Sequence, residues 1–507
     1  MYQVHLDELV PKDNFYRRLT AALDLRFLYK LTKPYYGTQG QQSIDPVVFF
    51  KILLVGYLNN INSDRRLIDY CSNCLDIRLF LQYDIDEQLP WHSTISRTRQ
   101  LLGEEVFLSL FRKILSLCIE KGMVRGKRQA LDSAFVKANA SLDSLTEKQI
   151  IEDAEHYAQE LNDNSDFRIK PDTLTPQDKA NKAVSDSRKK AVEQHHEGKK
   201  EAYKGAPGSP ESKQDKEQEK YRPRFLSNHT HASPTDPDAR IAVKPGKARQ
   251  MNYYAQITVD QAHHVITASG ADFADKRDSE CLPHILKQNI ENLEPHDLRP
   301  EQLLADTGYS SAQALQFCDE NKIDAYIPNF GQYKPQREGL RYNAELDQYE
   351  CTQGNKAVLF FRKIVTSVRG YEKKQYRSSA NHCKGCPLRS QCIGKGNIKQ
   401  LEDTLNRHLY DAMHLKLQIS YAKRLLKKRG STVEPVLGTM LNFLNLRRVN
   451  TRGIKQANKH VMMASLSYNL KKYLKFISKK AAAKTMALER DFANVFTAHC
   501  SRFSRAF

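Results

Sequence analysis

Three acidic residues lie where local structure gives little reason for a carboxylate. Asp132 falls inside RQALDSAFVKANA, whose alternation reads as a β-strand, and strands select against Asp. Asp306 follows Leu303, Leu304 and Ala305 in LLADTGYSSAQAL, where an apolar strand ends and Thr307 and Gly308 turn the chain into a helix. Alone it is a turn former or helix cap that satisfies free N–H groups. Glu434, in RGSTVEPVLGTM, reads as a first-turn acid after a turn, favoured there by the helix dipole. Brought together from two neighbouring strands and a packed helix, the three would repel one another unless hard cations held them. Such a cluster suits phosphoryl transfer with two magnesium ions about 3.5–4 Å apart. Asp272, Asp275 and Asp278 in ADFADKRDS compete for this role, but they read as a loop and a helix cap.

A second constellation is sulfur-rich. HCKGCPLRSQC spaces Cys383, Cys386 and Cys392 around a Pro turn, and Cys351 in YECTQG, beyond an expected hairpin, is the fourth candidate. Four thiolates within tetrahedral reach suit structural zinc, which staples a segment lacking its own core. The alternative is reduced surface thiols. Cys71 and Cys74 in YCSNC lie in a helix between apolar positions and read as core.

The elements that must position these residues divide the chain. Residues 1–125 read as a helical domain. SIDPVVFFKILLVGYL is almost wholly apolar with Ser43 as its cap and Pro46 in its first turn, NSDRRLIDYCSN is capped by Ser63 or Asp64, and HSTISRTRQLL is capped by Ser93. EEVFLSLFRKILSLCIEKG then places Phe107, Leu110, Phe111, Ile114 and Cys118 on one stripe that ends at Gly122. Short helices with arginines on a later one fit either a helix-turn-helix unit or a plain bundle. Residues 126–139 and 226–330 read as an α/β layered sheet, with MNYYAQITVD and HHVITASG as a hairpin. Residues 140–225 carry too few large apolar groups to offset their ordering entropy and read as a loose charged insertion. A Cys- and Tyr-rich insertion follows over 331–402. Helices are expected over 403–480, broken near 431, and 481–507 reads as a basic, poorly patterned tail.

The bulk composition agrees with a polyanion partner. Lys and Arg number 79 against 59 Asp and Glu, a formal charge of +20 on a 507-residue chain that is 40% hydrophobic. MYQVHLDELVPKDNF has early acids and no apolar stretch, so it is not a secretory signal. No run of about 18 apolar residues predicts a membrane span. The expectation is a soluble, cytoplasmic protein whose ten cysteines are thiols or metal ligands.

The residues that carry the chemistry also carry a resemblance. LDSAFVKANAS, ADTGYSS and RGSTVEPVLG resemble the first-Asp, second-Asp and Glu motifs of bacterial insertion-sequence DDE transposases. SIDP…LLVGYLNNINSDRRL, LPWHSTISRTR, TDPDARIAVKPGK and the N-Y-Y-A-Q strand also match that family, in its order. The resemblance implies a ribonuclease-H-like core with an all-α N-terminal domain and a small Cys-rich zinc-binding insertion. It implies magnesium, replaceable by manganese, on Asp132, Asp306 and Glu434, and zinc on Cys351, Cys383, Cys386 and Cys392. It also implies Arg429 at a phosphate or terminal base. Two positions depart from the family pattern: Ala134 stands where Thr is usual, and Leu441 where a DNA-facing Lys is common.

The implied activity is phosphodiester hydrolysis at element ends, then attack of the exposed 3′-OH on target DNA. DNA, as terminal inverted repeats and target, is the expected partner, with a homodimer to hold two ends and the nucleoid as the site of action. Arg65, Arg66, Arg97, Arg99, Lys423, Arg424, Arg429, Arg447, Arg448 and Arg452 are the candidate DNA contacts. Lys427 and Lys428 extend the run before Glu434. Tyr421 and Trp91 read first as core and second as base-stacking platforms. The rival functions are a catalytically inactive or repurposed DNA-binding protein and a structure-specific nuclease.

Overall fold

Asp45, rather than Ser43, starts the most apolar helix. Its carboxylate accepts the Val47 and Val48 N–H groups at 2.7 and 3.0 Å, and Pro46 takes the first helical position. The computed structural model describes residues 5–37, 43–148, 227–243, 248–331, 333, 335–366 and 372–503. The charged insertion expected over 140–225 therefore lies, from 149 onward, outside the described residues. Before the sheet come α1 (Leu6–Leu9), α2 (Phe15–Ala22), α3 (Phe27–Thr32), α4 (Pro46–Leu58), α5 (Asp64–Asn73), α6 (Leu75–Leu81), α7 (His92–Leu101) and α8 (Glu104–Glu120). Ser63 caps α5 through the Arg66 N–H. Ser93 does not cap α7, which starts one residue earlier, after Trp91. Cys71 is buried and Cys74 is half-buried.

The sheet is built on β1 (Arg128–Lys137), with β4 (Arg240–Ala242), β5 (Gln250–Asp260), β6 (Ile266–Phe273), β7 (Gln302–Leu304) and β8 (Asp324–Tyr326). The short strands β2 (Thr146–Glu147) and β3 (His231–Ala232) form a separate ribbon. β1 pairs antiparallel with β5 on one side and parallel with β7 on the other, where Ala130 faces Leu304. β4 and β6 extend the antiparallel side through β5, and β8 extends the parallel side through β7.

Helices α9 (Asp278–Leu293) and α10 (Ala312–Glu320) close one face, burying Leu282, Ile285 and Leu315 with Leu131 and Leu303. The other face lies in a continuous apolar core shared by the N-terminal helices and the chain's last helices. The helical N-terminal region is thus joined to the sheet by common packing, as alternating strand faces require.

Beyond residue 330 the structure gives the insertion its form and corrects two expectations, the break near 431 and the unpatterned tail. The Cys- and Tyr-rich stretch is an antiparallel meander of β9 (Leu340–Asn343), β10 (Gln348–Cys351), β11 (Val358–Thr366), β12 (Glu372–Ser378) and β13 (Gln400–Thr404), with short helices α11 (Ala380–Lys384) and α12 (Arg389–Cys392) before β13. Its small core of Tyr349, Leu359 and Tyr376 is tied by polar bonds, Arg407 donating to Asp403 at 2.8 Å and Tyr376 to Asp347 at 2.6 Å. After α13 (Arg407–Gln418), the helix α14 runs unbroken over Ser420–Phe443. The expected turn near Gly430 is absent because Val433, Val436, Leu437 and Met440 bury one face there. That packing outweighs the roughly 1 kcal/mol of an interior Gly and the roughly 3 kcal/mol of Pro435. The expected tail continues α15 (Ile454–Phe503) instead.

Trp91 and Tyr421 are 76% and 42% exposed, so neither is a core residue. Among the described residues no helix is long and apolar enough to cross a membrane.

Polar contacts lock α15 to the N-terminal helices. Tyr57 Oη and His460 Nδ1 lie 2.7 Å apart, Lys459 Nζ donates to the Arg99 carbonyl at 3.0 Å, and Asn458 donates to Glu104 at 2.7 Å. Burial, helped by the charge of Arg99, lowers the His460 imidazole to about 4. The unfolded chain binds that proton near pH 6.5, so the folded state is favoured above 6.5 and weakens as pH falls toward 4. The expected loss is on the order of 3 kcal/mol across that window. Urea unfolding at pH 7 and 4.5 should find a smaller acid loss in His460→Gln than in wild type; equal losses would contradict this origin.

Candidate active site

The parallel register of β1 and β7 sets the site. Ala130 faces Leu304, so two residues further along each chain Asp132 and Asp306 come side by side at the end of the shared ladder. Asp132 Oδ1 accepts the Ser133 N–H at 2.8 Å, and Oδ2 accepts Arg429 Nη1 at 3.1 Å. Asp306 does cap a turn, its Oδ1 accepting the Gly308 N–H at 2.9 Å, and its charge also acts on Asp132. Capping and clustering are thus compatible in one side chain.

Helix α14 crosses this end of the sheet and brings Arg429 and Glu434. The Arg429 guanidinium stands between two carboxylates, 3.1 Å from Asp132 and 3.6 Å from Glu434 Oε1. Asp132 and Arg429 are nearly enclosed, with side chains 15% and 16% exposed, whereas Glu434 is open to solvent. Glu434 sits mid-helix and folds back over Gly430, whose missing Cβ would stand 2.9 Å from Glu434 Oε1. Helical side chains lean toward the N-terminus, and Gly430 leaves room for that lean.

Burial pushes the Asp132 carboxyl above its ordinary range. The Ser133 N–H and the Arg429 guanidinium pull it back, and the charge of Asp306 pushes it up again. This is a carboxylate short of positive charge, and the donor set of three carboxylates fits a hard divalent cation. Among the described residues no group of three or more His, Cys, Asp or Glu side chains is arranged to hold a metal ion. At the carboxylates, Arg429 occupies the position between Asp132 and Glu434.

Of the competing acids, Asp272 pairs with Lys276 at 2.9 Å and Asp275 with Arg240 at 3.4 Å. Asp278 is the first residue of α9, and its carboxylate turns toward Asp306. Strand alternation and cap signals do not encode this approach, which only the packing of α9 on the sheet creates.

The basic residues separate into two groups. Arg65, Arg66, Arg97, Lys423, Arg424, Lys427, Lys428, Arg447, Arg448 and Arg452 are exposed. Arg99 is buried and engages Asp64 through two bonds of 2.7 and 2.9 Å, so it is not on the exposed basic surface. Its polar partner on α5 makes it a fastener between α5 and α7. Residues 447–449 run beside the end of β1, bonded to Lys137.

The four cysteines share one cavity without being arranged as a metal-binding group. Cys351, Cys383, Cys386 and Cys392 line one cavity of about 360 Å³ with His382. Cys351 Sγ donates to the Gln353 carbonyl at 2.8 Å, and Cys383 Sγ lies 3.0 Å from Ser378 Oγ. His382, the neighbour of Cys383, was legible as a fifth candidate from the His-Cys pair alone.

Residues 4–101 match the family model described as Transposase domain (DUF772). Residues 350–474 match the one described as Transposase DDE domain. No curated protein matches the chain. The second match contains Arg429, Glu434 and the four cysteines of the cavity; Asp132 and Asp306 lie outside both.

Replacing Arg429 by Gln removes the countercharge between two carboxylates. Urea unfolding at pH 7 should find a deficit of about 1–3 kcal/mol, the scale of a poorly satisfied buried group. Without its cation Asp132 takes up a proton more readily, so the deficit should narrow at pH 5. Equal deficits at both pH values would assign the loss to packing instead.

Proposed function

We propose that this chain, whose residues 4–101 and 350–474 match a transposase domain and a transposase DDE domain, is a DDE transposase that cuts phosphodiester bonds at the ends of an insertion sequence and joins the freed 3′-OH ends to target DNA. The observation that carries this reading is the placing of Asp132 and Glu434 on either side of one guanidinium, with Asp306 beside Asp132 on the neighbouring strand. Transposases act on DNA, and the exposed arginines and lysines of α14 before Glu434 supply a phosphate-binding track beside the acids.

The three carboxylates are assigned the binding of divalent cations, magnesium by preference. Cations held there supply the positive charge that activates an attacking oxygen and steadies a leaving one. The chain's own residues do the rest. Asp132 and Asp306 are fixed by the strand ladder, so their spacing is set before any ligand arrives. Glu434 comes from a different layer and closes the third side. Arg429 neutralises the acids without a ligand, and its planar donors are suited to hold a phosphate once cations relieve it. Water and then the 3′-OH are the successive nucleophiles at one site. Holding two element ends at once calls for a homodimer.

The cavity lined by Cys351, Cys383, Cys386 and Cys392 is assigned structural zinc. Closing it would staple α11 and α12 to the end of β10. Metal analysis of the purified chain should find bound zinc, lost in Cys386→Ser; no zinc in wild type, or full retention in the variant, would refute the assignment.

Cleavage of DNA carrying the repeats that flank the gene, in Mg²⁺, tests the main reading. Asp132→Asn, Asp306→Asn and Glu434→Gln should each slow cutting by about 100-fold or more, the scale of removing one preorganised charged or polar group from a site. All should still bind the DNA. Equal cutting by any of them would remove that residue from the site, and binding without cutting by wild type would make the chain a DNA-binding protein. Gly430→Ala should separate stability from function. It gains about 1 kcal/mol of helix propensity, yet its methyl displaces the Glu434 carboxylate, so thermal unfolding should rise while cleavage falls.

A further inference from the structure

Asp278 opens α9 close to Asp306 and to Ser133, the neighbour of Asp132. Its Oδ1 accepts two hydroxyl bonds, from Ser133 Oγ and from Tyr254 Oη, both at 2.6 Å. The Ser133 and Tyr254 hydroxyl oxygens lie 2.9 Å apart, both turned to that one acceptor. Ser133 directly follows Asp132 on β1, and Tyr254 lies on the neighbouring β5, so one carboxylate oxygen ties α9 to both strands. The polar cluster continues through Tyr309, whose hydroxyl donates to Gln256 Oε1 at 2.6 Å. Gln256 is fully buried, and its Nε2 has no hydrogen-bond partner among the described residues. Burial raises the Tyr309 hydroxyl far above its ordinary value, and the charges of Asp278 and Asp132 add to that rise.

The second oxygen points the other way. A Cβ placed on Gly308 would stand 2.6 Å from Asp278 Oδ2 and 3.1 Å from Asp306 Oδ1. The two carboxylates therefore flank one glycine, and any side chain there would part them. Gly308 donates its own N–H to Asp306. Asp306 in turn is close enough to Asp132 and to Tyr254 for its charge to act on both. The four acids thus form a chain across the sheet end: Asp278, Asp306, Asp132 and, through Arg429, Glu434.

We infer that Asp278 is a positioning residue of the cation site, which clamps Ser133 beside Asp132 with one oxygen and adds negative charge behind Asp306 with the other. This rests on the assignment of Asp132, Asp306 and Glu434 as cation ligands. Negative charge beside a ligating carboxylate strengthens the site's hold on a cation, and loss of a partner outside the ligand set lowers metal affinity by about 10- to 100-fold. The clamp and the charge are separable. Asp278→Asn keeps an acceptor oxygen for both hydroxyls and loses the charge. Ser133→Ala and Tyr254→Phe keep the charge and lose the clamp.

The test is Mn²⁺ binding to the full chain by calorimetric titration, with thermal unfolding recorded for each variant. Asp278→Asn should bind Mn²⁺ about 10- to 100-fold more weakly than wild type while unfolding within a degree or two of it. Asp132→Asn should abolish the tight site. Mn²⁺ affinity in Asp278→Asn equal to wild type would overturn the inference while leaving the three ligands in place. Weakening matched by an equal loss of stability, with Ser133→Ala weakening affinity no less, would reduce Asp278 to a structural clamp and also overturn it. Wild type without any tight Mn²⁺ site would sink the ligand assignment itself. Because binding is read without cutting, failure of the cleavage assay alone leaves this inference standing or falling on its own result.

Discussion

A short parallel ladder decides where two of the three proposed ligand carboxylates meet. Only three residue pairs join β1 to β7, yet they place Ala130 opposite Leu304 and so carry Asp132 and Asp306 to adjacent positions at the end of the ladder. Parallel pairing needs a crossover, here supplied by the hairpin partners and α9 between the two strands. A one-residue slip would turn Asp132 onto the opposite face. The register is held because Leu131 and Leu303 are buried under α9 and α10 while Ala130 and Val136 are buried in the other core.

Electrostatics then completes what the ladder begins. Burial, with the charge of Asp306 added, raises the Asp132 carboxyl, and the countercharge comes from a helix whose Arg429 lies 297 residues further along the chain. That helix must stay straight past Gly430 and Pro435 to deliver Arg429 and Glu434 together. Its apolar face makes this possible by burying Val433, Val436 and Met440. A bond between an enclosed acid and an enclosed guanidinium is weak evidence of stability by itself. Its value here is positional, since Arg429 marks where positive charge is wanted.

Much of this was legible in residues alone. The strand around Asp132, the turn at Asp306 and the hairpin over 250–273 follow from alternation and turn chemistry, and the apolar α4 follows from composition. The unbroken α14 was not legible, because Gly and Pro are local signals and the packing that overrides them is not local. The meander over 340–404 was hidden for a related reason. Its strands pair through tyrosines, acids and arginines rather than through an apolar alternation, so the stretch read only as Cys- and Tyr-rich. Arg99 looked like its neighbour Arg97, and only the fold reveals that Asp64 has claimed it. Asp278 looked like a helix cap, and its approach to Asp306 depends on a glycine in a different motif.

The most direct measurement is a crystal structure of the chain grown with Mn²⁺, read by anomalous scattering. The account predicts a strong peak between Asp132 and Asp306, with Glu434 turned toward it and Arg429 displaced from Asp132. A structure in which Mn²⁺ is absent from that position, or in which Asp132 and Asp306 point to separate surfaces, would contradict it.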